Sequence, residues 1–181
     1  MSVSDSEYLV LRQTIATRGT VRMVMVPVTI VGWSATMLVL ILFSQLPVGA
    51  LLSLAVLAAG FETVHALHVG VERIGRYLQV FYEERGSTDE VVPRWETTAM
   101  AAGPTLPGGG VDPLFSILFL SATALNLIPM ALPGVTPVEA AVIGALHLAL
   151  AVRIVRARAA AGKQRAVELD RYRQAAKDLC R

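Results

Sequence analysis

With 181 residues, 54% of them hydrophobic and only 17% charged, the chain is too apolar for an ordinary soluble domain, in which about a quarter of the residues carry charge. The charges are clustered and long uncharged runs separate them, which places the chain in the membrane class. The net charge of +2 is small, and one cysteine, Cys180, excludes an intramolecular disulfide.

The sequence predicts an all-α, four-span transmembrane bundle. Residues 1–22 form an N-terminal segment with room for a short helix over Ser4–Thr20. A span needs about 20 largely apolar residues. The first run, Met23–Phe43, is longer than the roughly 7–15 residues of a signal-peptide core and is expected to be retained. The second runs from Pro47 to Gly70, so residues 23–70 make a first transmembrane hairpin. Residues 71–112 continue the second helix, with Ile74, Leu78 and Phe81 on one stripe, up to a stop at Gly86. A Pro/Gly-rich loop follows, carrying Pro93, Pro104, Pro107 and Gly108–Gly110, with Trp95 expected at headgroup level. Residues 113–152 make the second hairpin, Pro113–Leu132 and Pro137–Val152. Asp112-Pro113 reads as an N-cap followed by a first-turn proline, and Thr136-x-x-Glu139 as a capping box. Pro129 is expected to fray the third span, and Pro133-Gly134 to end it. Residues 153–181 carry the fourth helix onward, with Leu169, Tyr172, Ala176 and Leu179 at heptad-like spacing.

Direction follows from charge. Every Arg and Lys lies in 1–22, 71–112 or 153–181, and none in the turns Ser44–Val48 and Ala131–Val138. Lys and Arg collect on the cytoplasmic side. The expectation is therefore an inner-membrane protein with both termini cytoplasmic, and with the second and fourth helices extended into the cytoplasm. Both hairpins point the same way, which argues against an inverted transporter repeat.

Ionisable residues inside spans are functional candidates. The second span carries Glu62, His65 and His68, and the fourth carries His147. With Arg73 and Arg153 as inner boundary markers, the three histidines share one layer roughly 8–12 Å above that boundary, and Glu62 lies one turn higher. Three readings compete. The groups satisfy one another inside a packed bundle, they line a proton or ion path, or Glu62-x-x-His65 belongs to a metal site of the carboxylate-bundle kind. The last lacks its further carboxylates, so neither metal nor cofactor is assigned. Asn126 is placed to hydrogen-bond between helices. Ala140, Ala141, Gly144 and Ala145 give small-residue spacing for helix packing. Ile74, Leu78, Phe81 and Tyr172 are the expected oligomer contacts.

No phosphate-binding glycine loop, nucleophile elbow, zinc cluster or nucleic-acid patch is present in the sequence, and no catalytic residue is identified. The leading expectation is a homo-oligomeric membrane protein that assembles or binds a cytoplasmic protein partner, with the lipid bilayer as its solvent. The alternatives are an oligomeric ion or proton channel using the Glu/His layer, and a membrane metalloprotein using the E-x-x-H element.

Overall fold

The computed structural model describes residues 3–44, 47–84, 95–102, 112–131 and 135–179. It is all-helical among these residues. Helix α1 is Val3–Val39, closing in a π-helical turn at Leu40–Ser44. A 3-10 turn, Pro47–Gly49, leads into α2, Ala50–Leu78, which ends in a π-helical turn at Gln79–Glu83. Then come α3, Trp95–Ala102, and α4, Ser116–Leu125 with a 3-10 tail at Ile128–Ala131, and α5, Pro137–Asp178. Three helical stretches, Ser6–Phe43, Ala50–Glu83 and Pro137–Ala161, are long and apolar enough to cross a membrane.

Several expectations are revised. The N-terminal segment is continuous with the first apolar run, since α1 passes through Pro27 without stopping. The third apolar segment is helical only over Ser116–Met130, short of the roughly 20 residues of a full span. The N-cap residue is Phe115 rather than Asp112, although the Asp112 carboxylate accepts from Ser116 N–H and Leu114 N–H at the start of the helix. Pro113 is not the first helical residue, because a turn intervenes and Phe115 takes the left-handed φ of 51°. Beyond Leu125 the helix frays into a turn and the 3-10 tail that holds Pro129, as a proline without an N–H requires. The capping box forms as spaced. Thr136 N–H donates to Glu139 Oε2 at 2.9 Å, and Glu139 N–H donates to Thr136 Oγ1 at 3.3 Å. Trp95 opens a helix rather than sitting in a loop. Gly86, Pro93, Pro104, Pro107, Gly108–Gly110, Pro133–Gly134 and Cys180 lie outside the described residues.

The chain divides into two compact units. The apolar unit is Val21–Ala66 with Asp112–Ala159. In it α1 and α2 pack antiparallel, with Met37 against Ser53, Gly32 against Val56 and Thr29 against Gly60. Gly60 is required there, because a Cβ would overlap the Thr29 side chain. Helix α4 runs antiparallel to α2, with Phe119 edge-on to Phe61 at 5.4 Å. It is also antiparallel to α5, with Asp112 near Arg158 at one end and Asn126 bonded to His147 further along. Leu57, Phe61, Val64, Phe119 and Ile154 are fully buried at the centre. The outer faces stay apolar, with Val31 68% and Val138 73% exposed. Such a surface suits hydrocarbon as its solvent.

The charged unit is Met1–Thr20, Leu67–Val111 and Ala160–Arg181. The π-helical turn closes with Glu84 N–H donating to Gln79 O at 2.9 Å. It turns Gln79, Val80 and Glu83 inward. Arg76, 3% exposed, binds Glu72 on its own helix and Glu168 of α5. Tyr77, Phe81 and Tyr172 form an aromatic cluster with centroids 4.7–6.4 Å apart.

Candidate functional site

Asn126 follows the last residue of α4, and its side chain is fully buried in the apolar unit. Trp33 Nε1–H donates to Asn126 Oδ1 at 2.9 Å, and Ser53 Oγ–H donates to the same oxygen at 2.6 Å. Asn126 Nδ2 donates to Ala50 O at 2.8 Å and to His147 Nε2 at 2.9 Å. An indole N–H only donates, so the amide orientation is fixed. The amide nitrogen then faces His147 Nε2, which must accept. The other ring nitrogen, Nδ1, lies 2.7 Å from Ile143 O, a group that only accepts. The imidazole therefore carries its proton on Nδ1. Two donors and two acceptors of one amide are all used, and α1, α2, α4 and α5 are tied at one point.

Glu62 lies elsewhere in this unit. Arg153 Nη2 donates to Glu62 Oε2 at 2.8 Å, and also approaches His65 Nδ1 at 3.4 Å. His65 Nδ1 is 4.0 Å from the same carboxylate oxygen. The side chains of Glu62 and Arg153 are 48% and 41% exposed. The ionic partner of Glu62 is Arg153, one of the residues taken as a boundary marker. His68 is buried and belongs to the charged unit. Glu62 and His65 thus share one group with Arg153, whereas His147 belongs to the Asn126 centre.

The other candidate sets are also redistributed. Leu78 is fully buried in the single chain, so it cannot face a second copy. Phe81 and Tyr172 pack on each other, and Ile74 is half-buried. Phe81 reads as oligomeric in sequence because its partner, Tyr172 of α5, is 91 positions away. Ala141 and Ala145 are exposed, while Ala140 and Gly144 are half-buried, with open space where a Gly144 Cβ would stand.

Sequence reasoning missed Glu83. It is 2% exposed, and its carboxylate accepts from Glu96 N–H at 2.7 Å, Thr97 N–H at 2.8 Å and Thr97 Oγ1–H at 2.8 Å. An anion at these first amides of α3 complements the helix dipole. Arg12 binds Glu96 from α1 at 2.6 Å. Burial raises the Glu96 pKa above the ordinary carboxylate range, Arg12 partly offsets this, and Glu83 and Glu72 add to it. Glu84 is held below that range by hydrogen bonds from Arg173. A local signal existed for neither residue, since each partner is set by tertiary packing.

Among the described residues no group of three or more His, Cys, Asp or Glu could hold a metal ion. No family model, curated protein or solved structure matches the chain.

Proposed function

We propose that the chain is a four-span protein of the inner membrane with both termini cytoplasmic, acting through assembly and partner binding rather than transport or catalysis. Four crossings are supported by the direction of α4 against α2 and α5. Its ten α-helical residues rise about 15 Å, and the 3-10 tail adds about 8 Å. The lack of Arg and Lys in 44–48 and 131–138 supports the orientation. The observation that carries the functional reading is the saturation of Asn126. A proton relay through His147 would have to load Nε2, the atom already accepting from Asn126. The buried polar groups around Asn126 serve one another.

A proton- or ion-conducting oligomer is the second reading, favoured by the half-exposed Glu62–His65–Arg153 group. Two measurements test the assignment. A reporter after Arg181 is expected to be cytoplasmic, and a tag at Gly134–Thr136 external. Proteoliposomes of the wild type and of Glu62→Gln are expected to show the same background proton flux. Wild-type flux that Glu62→Gln abolishes would overturn the assembly reading in favour of conduction.

A further inference from the structure

The outer face of the apolar unit carries a feature that hydrocarbon does not tolerate well. Glu62 and Arg153 neutralise each other, yet both remain nearly half exposed. Glu62 Oε1 and the Arg153 Nε and Nη1 groups carry no hydrogen bond among the described residues. Ionised groups with spare bonding capacity at the edge of a bilayer call for a further polar partner.

Their neighbours favour close approach. On α2, Ala59 and Ala66 flank Glu62 within about 60° of arc at 100° per residue, and both are exposed. On α5, the exposed Ala145 and Ala149 precede Arg153. Helices α2 and α5 run parallel here, since both point from their apolar starts toward this pair. Small residues on both let another backbone come near.

We propose that this α2/α5 face is the contact of a two-fold symmetric dimer, in which Glu62 of each copy binds Arg153 of the other. The inference rests on the proposed membrane assembly. Charge complementarity selects a second copy as the occupant. A two-fold axis along the membrane normal preserves depth, and Glu62 and Arg153 share a depth because they touch. Apposing two such faces therefore sets each carboxylate against the other copy's guanidinium in an alternating ring of four charges. An isologous contact needs this kind of self-complementarity. It differs from the Ile74/Leu78/Phe81/Tyr172 stripe, which the chain already uses internally.

The test is charge-swap complementation between two differently tagged full-length chains. Glu62→Arg and Arg153→Glu, each expressed alone, are expected to lose the dimer, by native mass measurement in nanodiscs. Expressed together they are expected to recover it, as a heterodimer that co-purifies through either tag. The double variant Glu62→Arg/Arg153→Glu in one chain restores every pair and is expected to dimerise like wild type, which controls for folding. Ala59→Leu and Ala149→Leu, at exposed positions, are expected to abolish the dimer while leaving the helical content of the monomer unchanged. A wild-type monomer that retains a phospholipid, a larger ring, or a dimer untouched by Ala59→Leu and Ala149→Leu would overturn the proposal. A terminus found outside by the reporter fusion would instead overturn the membrane orientation, so the two failures read out separately.

Discussion

The two units solve the problem of buried polar groups in opposite ways. In the apolar unit the buried centre is neutral, and one amide, Asn126, satisfies an indole, a hydroxyl, an imidazole and a backbone carbonyl. In the charged unit the buried groups are ions: Arg76 lies between Glu72 and Glu168, and Glu83 caps α3. The contrast is not one of helix identity, because α1, α2 and α5 contribute to both. It follows composition along each helix. Where no charge is available, neutral hydrogen bonds must be complete, since an unpaired buried polar group costs about 1–3 kcal/mol. Where both signs are plentiful, ion pairs take over, and their worth depends on pH and salt.

The largest expected effect breaks the neutral centre. Asn126→Leu keeps the volume near that of the amide and removes all four bonds at once. At roughly 0.6 kcal/mol for each interhelical bond in a bilayer, the loss is about 2–3 kcal/mol. Asn126→Asp is expected to cost nearly as much, because a carboxylate cannot donate to Ala50 O or His147 Nε2. Unfolding of the purified protein in mild detergent measures both. If the neutral centre governs this unit alone, amide exchange over residues 95–102 stays as in wild type.

The ionic side is broken at Glu83. Glu83→Ala removes three hydrogen bonds at the start of α3, an expected cost of about 2 kcal/mol. Helices shorter than about 12 residues are marginal alone, and α3 has eight. Fast amide exchange across Trp95–Ala102 is therefore expected, with α2 and α5 still protected. Continued protection of α3 would mean that the Arg12–Glu96 pair suffices to hold it.

These two sites mark what the sequence exposes and what it hides. Hydropathy reveals the long helices, and the capping box at Thr136 and Glu139 is local chemistry that forms as spaced. Asn126 is visible as a lone polar residue in an apolar run, though its four partners are not. Glu62 stands out for the same reason, but its ionic partner, Arg153, lies 91 positions away and no local pattern names it. Leu78 looks like an interface residue because a stripe records that a face is covered, never by what. Glu83 sits among other charges, and only the fold of α3 onto the π-helical turn singles it out.

The smallest effect sharpens the comparison through pH, since only ionic contacts titrate in the accessible range. Glu84 and Glu96 work in opposite directions. Hydrogen bonds from Arg173 lower the Glu84 pKa in the folded state. Its contribution is therefore present above the unfolded value of about 4.3 and is lost as pH falls through the lowered folded value. Burial raises the Glu96 pKa, and Arg12 only partly counters it. The folded state then holds a proton that the unfolded state releases. This contribution is complete below the unfolded value and is lost as pH rises through the raised one. Glu84→Gln is expected to flatten the acid limb of a stability–pH profile, and Glu96→Gln the limb just above pH 4. The Glu84–Arg173 pair is about a third to a half exposed, so its share is at most about 1 kcal/mol and shrinks with added salt. Unfolding midpoints from pH 3 to pH 7 at low and high salt, for both variants and the wild type, measure the two limbs separately. A profile unchanged in both variants would mean that neither carboxylate is held as the folded charged unit places it.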